Sequence, residues 1–420
     1  MAKKMFTKAG VGLEETTGTA AAITARLPIT DIAALVETPT KSDTGIIIGR
    51  NSQSGKSLDC IEYSAEVPVP ISPCAANRIC FKSLFGTETE PADIGGMIAL
   101  IYKGSSASCK ISIASGTIKA YIGELEAEVL DTAFGTAGTY TPSADMTLAA
   151  LVTALTTGSY ECRILNGEGT GTFSAFIADS DQQAKNHAVP IAVAGTKAKL
   201  RIYKPNYTEG ENPTLSFQSE GLGTTEKAIG GAIDKLSVSA ALKAKVTGTW
   251  SLVFFSKVAG TVANMPATLK LGSAENDALK FQNGITMIGG KIFDYPKDIS
   301  FDFANNISAD EGWSQGGMTK SKHFRGVFAV SGSIKLTVDD DAELERAKVC
   351  SDDESSIMAS YLGDDIGGIK RGMIIDMATV QYSSESKSAG SSAIELSMDY
   401  SAVDFNSYSD YARVYLVSED

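Results

Sequence analysis

A mainly β protein is predicted for this chain, on three observations. Forty glycines stand among abundant Thr and Ser. Apolar and polar residues repeatedly alternate with a period of two, the spacing of a half-buried strand. Helical spacing is confined to short windows. At 420 residues and 43% apolar content there is enough material for two or three domains with ordinary cores.

In chain order, the first segment to interpret is "GIIIGRNSQSGKSLDC", residues 45–60, which resembles a phosphate-binding loop. Such a loop needs Gly, four residues, then Gly-Lys-Ser or Gly-Lys-Thr, so that backbone N–H groups close around the phosphate ahead of a helix. Arg50 occupies the required glycine position and Gly49 comes one place too early. The residues after Lys56 read as a strand: "SLDCIEYSAEVPVPIS" places Ile61, Tyr63, Ala65, Val67, Val69 and Ile71 on one side. A loop between two strands offers a phosphate no helix dipole. The segment reads instead as strand, exposed basic loop and strand.

The first helix is expected over 72–86, with Ser72 as cap, Pro73 at the first helical position, Ile79, Cys80 and Leu84 on one face and Gly86 as terminator. From 104 to 200 the texture changes. Short strands ("CKISI", "TIKAYI", "YECRIL", "TFSAFIA"), one helix over 146–158 and turn-rich joins such as "NGEGTGT" read as a small inserted α+β domain. The flanking stretches, 1–103 and 201–420, would then form one discontinuous β domain.

Residues 233–255, "IDKLSVSAALKAKVTGTWSLVFF", keep apolar residues on even positions from Leu236 to Phe254. As one strand this would run roughly 60 Å, against a usual length of about 5 to 6 residues. A two-residue hairpin would swap the parity of the buried face. The two readings left are one very long strand, or a hairpin turning near 241–243 through a loop of odd length. Further strands are expected at "ISFDF" (299–303) and "AIELSMDY" (393–400). In "FAVSGSIKLTVDDDAELERA" (328–347), Phe328, Val330, Ile334, Leu336 and Val338 share a face and a helix comes next, repeating the strand-then-helix order of 57–86. Three aspartates at 339–341 suit a helix N-terminus better than a calcium loop, since the EF-hand ligand spacing is missing.

Composition excludes several functions. Residues 300–420 hold 21 acidic and 10 basic residues, so −11 of the net −13 lies there. A grip on nucleic acid needs the opposite sign. His187 and His323 are far apart and lack Cys or carboxylate neighbours at ligand spacing, so neither a metal site nor a nucleophile–histidine pair is expected. Both read as packing or surface residues. Asp364-Asp365 is a carboxylate pair, but adjacent residues on a turn are more often solvated than catalytic. No enzyme activity and no cofactor are expected. The six cysteines include no CxxC and read as core filler. The opening "MAKKMFTKAG" has no apolar stretch, and no window approaches eighteen apolar residues, so neither a secretory signal nor a membrane span is expected.

Long amphipathic hairpins leave strand edges that invite pairing with other chains. Two readings are open: a large monomeric sandwich whose edges are blunted by loops, or a ring in which each subunit's strands complete a closed barrel with those of the next. At this point the residues resemble the major tail tube proteins of long-tailed bacteriophages. "GVGLEETTGTAAAITARLPITD" carries the match through Gly10, Gly12, Glu14, Thr17, Gly18, Thr19, Leu27 and Pro28. "FKSLFG" (81–86), "AIDKLSVSAALKAKVTGTWSLVF" (232–254), "DISFDFANNIS" (298–308) and "VSGSIKLTVDDDAE" (330–343) come after it in the family's order, leaving 104–200 as a departure.

The resemblance implies a β-sandwich with a long hairpin arm and a flanking helix. Its copies would form hexameric rings, stacked into a hollow tube in the virion tail after synthesis in the host cytoplasm. The inner wall would be a barrel of strands, drawing on Leu236, Val238, Leu242, Val246, Trp250, Leu252 and Phe254 of the hairpin and on Val330, Ile334 and Leu336. The loop bearing Arg50, Asn51, Gln53 and Lys56 would contact the next ring. A tape-measure protein would fill the lumen during assembly, tail terminator and distal tail or baseplate proteins would bind the ends, and DNA would pass through unbound. The insert would face outward. An acidic channel that repels phosphate fits this independently. The competing reading is a baseplate, fibre or cell-surface protein whose insert holds carbohydrate on Tyr102, Tyr121, Phe134, Tyr140, Tyr160, Phe173 or Phe176.

Overall fold

The computed structural model describes residues 6–43, 47–48, 52–53, 56–143, 145–206, 212–221, 224–269, 271, 279–314, 317–351, 353–389, 393–403 and 412–419. Strands make up 57% and helices 9%, so the mainly β expectation holds.

The chain opens with β1 (Phe6–Leu13), β2 (Ala25–Leu27), β3 (Leu35–Asp43) and β4 (Lys56–Pro70). β3 and β4 pair from Leu35↔Ala65 to Asp43↔Lys56, making a long antiparallel arm. Near its tip Ile47–Ile48 pairs with Ser52–Gln53. α1 (Ala75–Phe85) comes next. It begins two residues later than expected, at Ala75 and not at Pro73. Cys74 is the N-cap and makes no side-chain cap bond, while Ser72 lies buried and its carbonyl accepts a hydrogen bond from Asn77 Nδ2 at 2.9 Å. Gly86 closes the helix at φ 80°, a conformation glycine adopts without a Cβ penalty.

Beyond it lie β5 (Ala92–Tyr102), β6 (Ser108–Ala114), β7 (Thr117–Gly123), α2 (Leu148–Leu155), β8 (Tyr160–Asn166), β9 (Asp179–Gln183) and β10 (Val189–Pro205). Thr147 caps α2, accepting from the Ala150 N–H at 3.2 Å. "TFSAFIA" is not the strand expected of it. Only Thr172–Phe173 pairs there, with Met146–Thr147, and Phe176 makes a single bridge to Val193. The core of β5, α2 and β10 takes Phe173 and Phe176 as plugs, which a regular strand would not allow.

After β11 (Leu215–Gly221), β12 (Thr224–Ala241) and β13 (Thr247–Phe254) resolve the long amphipathic run. It is a hairpin: Leu236 faces Trp250 and Ser239 faces Thr247 across the loop 242–246, whose odd length preserves parity. The rest comprises β14 (Pro296–Ala304), β15 (Ala329–Thr337), α3 (Asp340–Ala347), β16 (Ser355–Asp365), β17 (Lys370–Ala389), β18 (Ile394–Ala402) and β19 (Arg413–Ser418). Asp339 caps α3, accepting from the Ala342 N–H at 2.8 Å, and Asp340 and Asp341 lie in its first turn, the helix-start role expected of that acidic run.

Pairing orders the first layer as β3-β4-β13-β12-β14-β15-β18 and the second half of β17. The second layer is β16, the first half of β17, and β19. The third is β10-β5-β8. Core membership alternates residue by residue between these layers. In β16, Ile357, Ala359 and Tyr361 face the first layer, while Met358 faces the third. In β5, Met97, Ala99 and Ile101 face the second layer, while Ile98, Leu100 and Tyr102 face α2, β6 and β7. Strands buried on both faces read as continuous apolar runs, as "MIALIY" in β5 does. α1 closes the main core from the side: Phe81 meets Trp250 edge-on at 5.1 Å and Tyr203 at 5.4 Å, and Trp250 Nε1 donates to Asn77 Oδ1 at 3.1 Å.

Candidate assembly surfaces

The first layer is apolar on one face and polar on the other. Its inner face holds most of the residues that the alternating pattern singled out. Leu236, Val238, Trp250, Leu252, Phe254, Val330, Ile334 and Leu336 are at most 2% exposed in the main core, so they support the sheet from behind and none of them faces outward. Val246 is likewise buried, within the turn of the hairpin. Leu242 departs from the rest: it sits in the same turn and is 50% exposed.

The outer face belongs to the intervening positions. One row across the sheet runs Pro68, Thr249, Ser237, Asp302, Ser331, Ser401. The next runs Pro70, Thr247, Ser239, Ser300, Ser333, Asp399, Ser384. The polar groups are tied to one another. Ser300 and Ser333 hydroxyls lie 2.9 Å apart, Ser384 donates to Asp399 at 2.6 Å and Ser251 to Glu66 at 3.0 Å. Among the described residues the lysines on this face have acidic neighbours: Lys235 is 3.2 Å from Asp302, while Lys297 and Lys335 both reach Glu395, at 2.6 and 2.5 Å. Those two hydrogen bonds, Lys297 first, hold the Glu395 carboxyl down at about 2. Burial instead pushes Asp298 up, against the pull of Lys335.

Among the described residues, neither edge of this layer is paired. β3 bonds only to β4, and the second half of β17 only to β18. Val36 to Lys41 and Ser383 to Ala389 are exposed. Pro39 within β3 fits an edge position, because proline cannot donate to a ladder. β4 continues past Tyr63, its last pairing with β13, through 62–56, about 20 Å of strand carrying the arm beyond the body. Of the loop residues expected to touch a neighbour, Arg50 and Asn51 lie outside the described residues. Gln53 and Lys56 have their backbone in strands, without described side chains.

The N-terminal glycine-rich motif is structural. Glu14 is buried, and its carboxylate accepts from the Gly18 N–H, Thr214 Oγ1, Ser216 Oγ and the Gly230 N–H, at 2.8 to 2.9 Å. A Cβ at Gly12 would lie 1.9 Å from the Ala22 carbonyl oxygen, so this strand accepts the returning chain only as glycine. His187 is buried too, with Nε2 2.6 Å from Asp376 and Nδ1 2.5 Å from the Gln183 carbonyl oxygen. His323 stacks on Phe255 at 4.4 Å. Of the cysteines, Cys74, Cys80, Cys109 and Cys162 are buried, with burial pushing the thiols of Cys109 and Cys162 up to about 12, and Cys60 is half-buried. Cys350 is exposed on the short helical turn after α3, so it is not core filler.

Two alternative sites lose their physical basis. Of the seven aromatics considered as a sugar platform, Tyr102, Phe134, Tyr160, Phe173 and Phe176 are at most 4% exposed, inside the core beneath α2. Asp365 is exposed and accepts from the Gly367 and Gly368 N–H groups, which hold its carboxyl below the ordinary range, so it caps a turn. Among the described residues no helix is long and apolar enough to cross a membrane.

A model of one protein family, described as phage tail tube protein, matches residues 7–402, a span that includes 104–200. A search of curated proteins returns no match.

Proposed function

This chain belongs to the phage tail tube protein family, and from that premise we propose that six copies close into a ring through the two unpaired edges of the first layer. β3 of one subunit would lie beside the second half of β17 of the next, and the rings would stack into a tube. The observation that carries this reading is the sheet with a polar outer face and, among the described residues, an open edge on each side. Strand edges left open are costly in a monomer and are removed by closure. The outer face would then line the bore, with Leu236, Trp250, Ile334 and their neighbours as its buried support.

DNA passes through such a bore during ejection, and the tape-measure protein occupies it during assembly. Tail terminator and distal tail or baseplate proteins bind the two ends. The segment 104–200 faces outward, because its core lies on the far side of the third layer from the polar face. Synthesis is in the host cytoplasm.

Negative-stain micrographs of the purified protein at high concentration should reveal rings and tubes. A protein that stays monomeric there, and is absent from virion tails, would sink the proposal. The arm tip contacts the neighbouring ring: replacing Arg50 and Lys56 together with Glu should shorten tubes while leaving the monomer's melting unchanged, and tubes of ordinary length would remove those residues from the contact.

A further inference from the structure

Exposed large apolar side chains sit at both ends of the first layer. At the end where β12 turns, Leu242 is 50% and Tyr295 69% exposed, on the rim of a groove of about 560 Å³ walled by Phe281, Ile285, Ile292 and Phe293. At the other end, from which the arm projects, Met318 is 54%, Phe324 43% and Val327 84% exposed. β14 joins the two, running from Pro296 at the groove to Ala304, about 30 Å away, where the chain enters the segment that carries Phe324 and Val327. The Met318 carbonyl accepts from the Ile61 N–H, fixing that segment to the root of the arm.

We propose that the groove is the axial socket of the tube, and that its occupant is the arm-end face of a second copy of this chain, seated through Met318, Phe324 and Val327. This rests on the tube reading and supplies its polarity. An apolar socket and an apolar knob at opposite ends of the same strands form a heterologous contact, which does not close on itself and so propagates a linear stack. Both rims are of mixed sign, with Lys297 lining the groove beside Asp294, Lys243 and Lys245 exposed next to Leu242, and Asp310 and Glu311 exposed near Lys320 and Arg325, so the matching apolar surfaces and not net charge select the partner.

The test uses full-length protein carrying Leu242→Asp with Tyr295→Asp, and separately Val327→Asp, all at exposed positions. Each variant should melt like the parent and still form rings, but need about tenfold or more higher concentration to stack, the equivalent of about 1.4 kcal/mol. In a Cys350→Ser background, Tyr295→Cys with Val327→Cys should give a ladder of covalent multimers on oxidising assembled tubes. Tubes of parental length from the groove variant, or tubes without the ladder, would overturn the socket while leaving the tube reading intact. Failure of the unaltered protein to form any ring or tube would overturn both.

Discussion

His187 and Glu14 are single side chains that hold separate parts of the chain together. His187 joins the turn before β10 to Asp376 on β17, and beside it Arg413 on β19 is 3.5 Å from Asp179 on β9, which also receives Lys204 at 2.6 Å. Burial opposes the charged imidazole, but the Asp376 carboxylate and the hydrogen bonds to Asp376 and Gln183 outweigh it, so the His187 pKa stands above its ordinary value. A raised folded pKa adds stability that is complete below about 6.5, the unfolded value, and is lost as pH climbs through the folded one. The melting temperature should therefore fall as pH rises above neutral. His187→Gln should flatten that slope and lower stability at pH 6, by about 3 kcal/mol if the buried Asp376 is left uncompensated; an unchanged slope would mean the pair is not an ion pair. Glu14→Ala deserts four donors and should cost about 3 kcal/mol or more, read from the denaturant midpoint. The sequence marks both residues without revealing their roles. Glu14 stands in a motif, but three of its four donors, on Thr214, Ser216 and Gly230, lie 200 or more positions away, and nothing near His187 in sequence points to Asp376.

Elements are legible in the sequence where one face is buried and the other wet. Parity over 233–255 leaves one long strand or a hairpin with an odd loop, of which the structure takes the second, and the aspartate run foresees the start of α3. Legibility is lost where that asymmetry is missing. β16 and the first half of β17 are buried on both sides, so they lack alternation, whereas the second half of β17 and most of β3 are exposed. Pro39 hides β3 further. Ser72 and Pro73 look like a cap and a first turn and so misplace the start of α1, yet both are buried in the approach to the helix. That helix is held by its aromatic face, where Phe85 also meets Phe303 at 5.5 Å and Phe328 at 5.4 Å. Phe81→Ala would leave a void beside Trp250 and Tyr203 and should destabilise by about 3 to 5 kcal/mol in equilibrium unfolding. A loss under about 1 kcal/mol would mean that the helix is not anchored by this cluster.

At the scale of the whole molecule, the proposed bore, lined by the polar outer face, would determine what a tube of these chains does to DNA. A duplex carries one negative charge per about 1.7 Å, and binding requires cations that replace its counterions. On this face the described lysines are committed to Asp302 and Glu395, and the other side chains of the two rows are serines, threonines, prolines and aspartates. With Glu395 held near 2, its pairing with Lys297 and Lys335 persists far into acid. A wall with nothing to exchange for counterions lets phosphate slide. The net charge in the sequence suggests this behaviour, but only strand register says which of the fifty acidic residues occupy the polar face. Replacing Ser300, Asp302 and Asp399 with Lys should turn it into a DNA-binding surface. Tubes of that variant should retain a short duplex at low salt, in nuclease-resistant form, and release it as salt rises, the dependence steepening with the number of phosphates neutralised. Unaltered tubes should retain none. If the variant assembles and binds DNA only in a nuclease-sensitive form, the lysines lie on the outside of the tube, and another surface must line the bore.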